Sequence, residues 1–532
     1  MGIYVNPGYD GFEKIRQDIY VDKTGLISYI NSLIGKPRPL VSFSRPRRFG
    51  KSYDANMLCA YYDRSCDSGF LFEDLQISQA DSFEEHLNRY NVISFDVTGF
   101  IAQSKENGTN AVWEIRNSLI KELRKVFPNC IDEEERNLGR ALYEVVSAGN
   151  EKFVFVIDEW DALFRELQDD EQLQRDYILF LRSLFKNKDI TPKVVAAAYM
   201  TGILPIKKYG TESAVSDFME FMMTDPLILA DYVGFTETDV RALCDTYHVD
   251  FFEMKQWYDG YTFEDVESVY SPNSVMSAIH FHKFRNYWTQ TESFKSLRRY
   301  IGENFDGLKD AIIQMLGGQR VKVDIGTFKN DTTSFENRDD VLTLLIHLGY
   351  LAYDRAAEEV YIPNREVAEV FRAAAKGGVW KPVEKAIAQA EELLKATIRC
   401  ESETVAEALE LIHEECTSVL AYNDENSLAC AIYIAYYTAK NYYMVIRELP
   451  SGKGFADYAF LPRRGTDKPA MIIELKYDKD ADTAIRQIHD NRYSGALKDC
   501  YGNMLLVGIN YDKNATGGKA KKHSCLIERM RG

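Results

Sequence analysis

Short, almost wholly apolar runs alternate with stretches of three-to-four-residue apolar periodicity through the first 225 residues. PLVSFS (Pro39 to Ser44), NVISFDV (Asn91 to Val97), KFVFVID (Lys152 to Asp158) and KVVAAAYM (Lys193 to Met200) read as strands buried on both faces, as in a parallel sheet. AVWEIRNSLIKELRKVF (Ala111 to Phe127) reads as an amphipathic helix between two of them. From 226 to 375 the pattern is mostly helical, with one hairpin-like piece, GYLAYDRAAEEVYIP (Gly349 to Pro363). Residues 376–420 hold long helical patterns rich in Ala, Glu and Leu and predict a rigid connector. The last segment, 421–532, reads helix, three strands, helix, strand, with NATGGKAKK (Asn514 to Lys522) as a flexible basic loop. The pattern therefore predicts an α/β chain in four parts, with no internal repeat.

Composition narrows the class. A chain of 532 residues exceeds one ordinary core, and 45% hydrophobic with 27% charged residues is the balance of a folded protein. The 33 Tyr and 29 Phe are core material before they are a base-stacking platform. Nine scattered cysteines form no C-x-x-C pair, which predicts reduced thiols and no zinc site. The longest apolar run, ACAIYIAYYTA from Ala429, falls short of the roughly 20 residues a membrane helix needs. No targeting segment is visible, so a cytoplasmic protein without a membrane partner is expected.

Charge is uneven. The net value is −17, yet residues 421–532 carry 17 Lys or Arg against 13 Asp or Glu, a balance of +4 that leaves −21 on the rest. An acidic body with a mildly basic end excludes wholesale coating of nucleic acid and fits contact confined to the last segment. Ordinary scatter of surface charge explains +4 nearly as well.

Two constellations carry chemistry. The first strand runs into SRPRRFGKS (Ser44 to Ser52), where Gly50 lets the backbone approach an anion, Lys51 neutralises outer phosphates and Ser52 offers a hydroxyl to magnesium. Arg48 and Phe49 complete the candidate nucleotide loop; Arg47 and Arg48 either touch phosphate or pair at the surface. Arg45 stands where the usual first glycine of such a loop would be. Downstream, KFVFVIDEWDALF ends a buried strand in Asp158-Glu159. Asp158 is placed to hold magnesium through water and Glu159 to polarise the water that attacks a γ-phosphate. VVAAAYMTG ends in Thr201-Gly202, where either a γ-phosphate sensor or a plain strand-end turn fits.

Here the chain resembles the prokaryotic AAA-ATPase-like family. The resemblance rests on YVDKTGLI (Tyr20 to Ile27), RPRRFGKS, VIDEWDALF, MTGILPIKK, WYDGYTF (Trp257 to Phe263), VYSPNSV (Val269 to Val275), YWTQT (Tyr287 to Thr291) and YIPNREV (Tyr361 to Val367). It implies a P-loop NTPase core at 1–225 and a helical lid with a winged-helix-like module at 226–375, with ATP and Mg²⁺ as cofactors. It also accounts for Arg45, since this family replaces that glycine with arginine, and brings Asp22 and Lys23 near the nucleotide. Relatives of such cores assemble through an arginine finger; no arginine here stands out as one, and a homo-oligomer stays open.

The second constellation lies in GFADYAFLPRRGTDKPAMIIELK (Gly454 to Lys476). Alternation along the second strand puts Glu474 and Lys476 on one face and Ile473 and Leu475 on the other. Pairing the two strands through the RRGTD turn can bring Asp457 beside Glu474, and two hard carboxylates suit Mg²⁺ next to a phosphodiester. Lys476 would orient the attacking water or neutralise charge. A surface hairpin with a Glu–Lys pair is the plain alternative.

The element order around these residues resembles the PD-(D/E)XK nuclease superfamily, with the connector at 376–420 and the nuclease-like domain at 421–532. That resemblance implies a further metal contact from Glu425 on the first helix (Asp424 to Ala439) and a supporting role for Gln487. Tyr493 follows Gln487 at a longer spacing than the usual Q-x3-Y. His280 and His282 alternate without acidic or cysteine partners, which predicts a structural role. His489 fits the cleft or a solvated helix face equally. Together the resemblances imply an ATPase that controls a Mg²⁺-dependent nuclease acting on DNA, in defence or mobile-DNA processing. The alternative is an ATP-dependent switch or scaffold whose nuclease-like fold binds a partner without cleaving.

Overall fold

The structure, a computed structural model, describes residues 2–206, 208–209, 212–213, 215–288, 305–316, 318–329, 335–375, 381–416, 442–451, 454–462, 467–491, 503–515 and 522–531, with isolated positions 428, 432, 435, 436 and 439. It divides into two compact units, Met1–Ser293 with Lys322–Ala368, and Phe294–Val321 with Glu369–Gly532. Among the described residues no helix is long and apolar enough to cross a membrane.

The four apolar runs of the first unit form β1 (Leu40–Ser44), β2 (Asn91–Asp96), β3 (Phe153–Asp158) and β4 (Val195–Gly202), joined by a short β5 (Met219–Phe221). All pair in parallel, in the order β2-β3-β4-β1-β5. Helices cover both faces, which is why β1 and β4 are buried at every position. The helix expected after Asn110 forms over Ala111–Val126, with the Asn110 side chain accepting from Trp113 N.

Beyond the sheet, the quoted motifs meet one another. Gly260 of WYDGYTF takes φ +137, and a Cβ there would lie 1.8 Å from the Pro363 carbonyl oxygen of YIPNREV. Only glycine permits that approach. Buried Glu366 accepts from Ser274 Oγ at 2.7 Å and from Tyr287 N at 2.7 Å, so one carboxylate ties three motifs. The late hairpin forms at Ala352–Asp354 and Glu359–Tyr361.

In the second unit β6 (Tyr443–Ser451), β7 (Gly454–Pro462), β8 (Ala470–Tyr477), β9 (Asn503–Tyr511) and β10 (His523–Arg531) form a mixed sheet in chain order. Neighbours are antiparallel except β8 and β9, which are parallel and joined through α1 (Ala481–Asp490). The fifth strand, β10, goes beyond the elements expected from sequence. The helices expected as a connector, Lys381–Ile398 and Ser402–Cys416, pack on each other and the second lies along β10, where Glu410 accepts from His523 N at 2.9 Å. The second helix thus packs on the edge strand of this sheet.

Candidate functional sites

The loop after β1 delivers Gly50 at φ +84, a conformation suited to glycine, and the helix Lys51–Tyr62 starts there. Arg48 is also left-handed, at φ +68. Ser52 Oγ donates to Asp158 Oδ2 at 2.6 Å, bringing together the hydroxyl and carboxylate expected at a magnesium ion. Burial pushes the Asp158 carboxyl above its usual range. Lys51 donates to the Arg45 and Pro46 carbonyls at 3.2 and 3.1 Å and lies 3.5 Å from Glu159 Oε1; burial lowers its ammonium pKa. Glu159 itself has left-handed backbone, φ +49.

A cavity of about 840 Å³ opens over this loop. Lys51, Ser52, Arg48 and Glu159 line it together with apolar Val21, Met57, Phe235 and Met276. Phosphate-directed groups and apolar wall in one cavity fit a nucleotide.

Several side chains around the loop also hold the fold together. Arg45 is 1% exposed: its guanidinium lies 2.6 Å from Asp54 Oδ2, donates to the Tyr232 carbonyl at 2.7 Å and to Tyr199 Oη at 3.1 Å. It is a buried strut that also borders the cavity. Phe49 lines the cavity, and its buried ring packs edge-on to Tyr261 and Trp288. Thr201 is buried, outside the cavity lining, and its hydroxyl donates to the Phe43 carbonyl at 2.9 Å. Gly202 beside it is required: a Cβ there would sit 2.5 Å from Asp161 Oδ1. Asp22 accepts from Thr24 and Gln76, a bracing role, while Lys23 lines the cavity and pairs with Asp239 at 2.7 Å.

Sequence reasoning missed Arg165. Its Nη2 bonds Glu159 Oε2 and its Nε donates to buried Asp161 Oδ2 at 2.9 Å. The signal was available: Arg165 follows Asp161 by four residues, one helical turn.

In the second unit the ladder places Tyr458 opposite Ile473, which sets Asp457 opposite Glu474. Asp457 Oδ2 accepts from Leu475 N at 2.7 Å. Lys476 Nζ donates to Glu474 Oε1 at 2.9 Å, and Gln487 Nε2 donates to the same oxygen. Glu474 is 2% exposed, and its Oε2 is buried with no hydrogen-bond partner among the described residues. Burial first, then the neighbouring Asp457, push its carboxyl from near 4.5 to about 7.

Helix α1 reaches Gln487 over Glu474 because β9 carries Gly508 at that level, paired with Glu474; a Cβ there would meet the Ala481 carbonyl at 2.5 Å. Among the described residues no cluster of three or more His, Cys, Asp or Glu forms. Glu425 and Tyr493 lie outside the described residues. His489 pairs with Glu528 at 2.9 Å on a half-exposed surface.

Comparison with known proteins matches these two regions separately. The family described as "Predicted AAA-ATPase" matches residues 7–211, and the PD-(D/E)XK nuclease superfamily matches residues 423–518. The chain carries an AAA-ATPase-like domain and a PD-(D/E)XK nuclease superfamily domain. A curated relative, "Uncharacterized protein in vnfD 5'region" of Azotobacter chroococcum mcd 1, is 26% identical over 290 residues, 53% of each protein. The chain thus spans about half the length of the curated relative it matches. The Aeropyrum pernix ORC2 protein, solved as ADPNP–ADP complexes, is similar at 9% identity and a TM-score of 0.33, over 69% of this chain and 97% of that one. In the AAA-ATPase-like domain the matched segment holds the loop, Asp158-Glu159 and Thr201; in the nuclease-superfamily domain it holds Asp457, Glu474, Lys476 and Gln487.

Proposed function

We propose that this chain hydrolyses ATP in its first unit and cleaves DNA phosphodiesters in its second, with nucleotide state controlling cleavage. The observation that carries the nuclease half is Glu474: a carboxylate opposite Asp457, held through Oε1 by Lys476 and Gln487, with Oε2 buried and without a hydrogen-bond partner among the described residues. Such an oxygen is costly to bury unless something charged meets it. The donor set of hard carboxylates fits Mg²⁺, held by Asp457 and Glu474, with Glu425 as the proposed third contact. A bound Mg²⁺ there supplies a more acidic water and neutralises phosphate charge. Lys476 holds a positive charge beside the scissile phosphate, and Gln487 fixes the rotamer of Glu474.

In the first unit Ser52 and Asp158 hold the magnesium of ATP, Lys51 meets the outer phosphates and Glu159 orients the attacking water. The setting we propose is cytoplasmic handling of foreign or mobile DNA. The test is cleavage of linear and circular plasmid in Mg²⁺ with and without ATP, using Lys51→Ala and Glu474→Ala controls. Cleavage that vanishes in Glu474→Ala and changes with ATP is expected. ATP turnover with no cleavage under any condition would leave the chain a nucleotide-dependent switch whose nuclease fold binds a partner.

A further inference from the structure

The Glu159 carboxylate lies between two cations. Oε1 is 3.5 Å from Lys51 Nζ, and Oε2 bonds Arg165 Nη2. A carboxylate engaged this way is not free to orient water, and it occupies the place between two cations that a γ-phosphate oxygen would compete for. Arg165 is fixed from behind: Nε donates to Asp161 Oδ2 at 2.9 Å, and the same oxygen accepts from Ile203 N and Leu204 N at 3.2 and 2.9 Å. The guanidinium plane is therefore anchored while Arg165 still lines the cavity. Thr201, which sequence left open as a γ-phosphate sensor or a strand-end turn, is buried with its hydroxyl on the Phe43 carbonyl.

We propose that Arg165 is the γ-phosphate sensor of this site, supplied by the same chain. It holds Glu159 while no γ-phosphate is present and exchanges that carboxylate for a γ-phosphate oxygen when ATP binds. The exchange frees Glu159 to orient water. The water oxygen then bonds to the γ-phosphorus, and the bond to the bridging oxygen breaks with its electron pair left on ADP. The water proton passes through Glu159 to the released phosphate. ADP has no γ-phosphate and leaves the Glu159–Arg165 pair intact, so the device separates the two nucleotides. The inference rests on reading the cavity as an ATP site.

The experiment compares affinities for ADP and for ADPNP, together with steady-state ATP turnover, in the full chain and in Arg165→Ala. The variant should keep ADP affinity within about threefold and lose about tenfold to a hundredfold in ADPNP affinity, the worth of a charged hydrogen bond. Its kcat should fall by about a hundredfold or more. Equal losses for both nucleotides, or an unchanged kcat, overturn the proposal and leave Arg165 a structural partner of Asp161. Should Arg165→Ala misfold, Glu159→Gln provides the second reading. Removing the competing carboxylate should tighten ADPNP while leaving ADP unchanged, and no separation of the two would overturn the proposal. A wild-type chain that binds neither nucleotide sinks the ATPase reading as well, whereas wild-type turnover retained in Arg165→Ala sinks this inference alone.

Discussion

The two candidate sites use the same materials, carboxylates beside a lysine, under opposite electrostatic balance. Glu159 has a cation on each oxygen, Lys51 and Arg165. Glu474 shares one oxygen between Lys476 and Gln487, keeps the other buried without a partner among the described residues, and faces a second carboxylate. The first site is charge-balanced as it stands, so a ligand must displace a contact already made. The second sets two carboxylates against one lysine in a buried place, so Glu474 keeps its proton up to about pH 7 until a cation replaces it. A P-loop site built this way favours exchange and gating; a carboxylate pair built the other way favours metal capture.

The sharpest way to break this contrast is to remove each lysine. Lys51→Ala should lower ATP turnover by about a hundredfold or more, and Lys476→Ala should do the same to cleavage while ATP turnover stays within about twofold. Loss of both activities from a folded Lys476→Ala protein would show one coupled engine. Next in size is Arg45. Replacing it with the glycine usual in such loops leaves Asp54 buried without its cation and should cost about 3–5 kcal/mol, read as a lower denaturation midpoint. A neutral Arg45→Gly would mean that the strut carries no stability.

Proton linkage sharpens the second site. Glu474 has a folded-state pKa raised from near 4.5 to about 7, so the folded protein holds this proton more tightly than the unfolded chain. In the absence of metal, its contribution to stability is greatest below about pH 4.5 and is lost as pH rises toward 7. Metal needs the ionised form, so cleavage should rise with pH through about 7, and more Mg²⁺ should move the midpoint to lower pH. A profile flat from pH 5 to 9 at limiting Mg²⁺ would contradict this, since those pH values span the stated midpoint.

Smaller effects test the supports. Gly508→Ala forces α1 off β9 and should cost about 1–3 kcal/mol, lowering cleavage while ATP turnover holds. Thr201→Val removes one buried hydrogen bond, about 1 kcal/mol, with hydrolysis within about twofold. A hundredfold fall in hydrolysis would instead restore Thr201 as a γ-phosphate contact.

Much of the architecture was legible in the chain. The four apolar runs of the first unit became strands within a residue or two of their expected ends, and alternation put Glu474 and Lys476 on one face, while the pairing of Tyr458 with Ile473 set Asp457 opposite Glu474. The fifth strand of the second sheet, HSCLIERMR, lacks clear alternation and escaped notice. The Ala- and Glu-rich helices beside it read as a connector because their apolar faces do not announce what they cover. Several motifs that carry the family resemblance proved to be structural meeting points, as Gly260 with Pro363 and Glu366 with Ser274 show.

By itself the sequence determined which segments are strand or helix and which charged groups stand at their ends, since these follow from local periodicity and turn chemistry. Only the tertiary structure decided neighbours. In the chain β2 lies between the phosphate loop and Asp158; in space it is β4, with β2 at the sheet edge. Arg45 became a buried strut only because Asp54, Tyr199 and the Tyr232 carbonyl converge on it. Glu474 acquired its shifted proton affinity only when α1 closed over Gly508 and Asp457 came alongside. Burial and the approach of distant charges are properties of packing between segments far apart in the chain, and no local pattern encodes them.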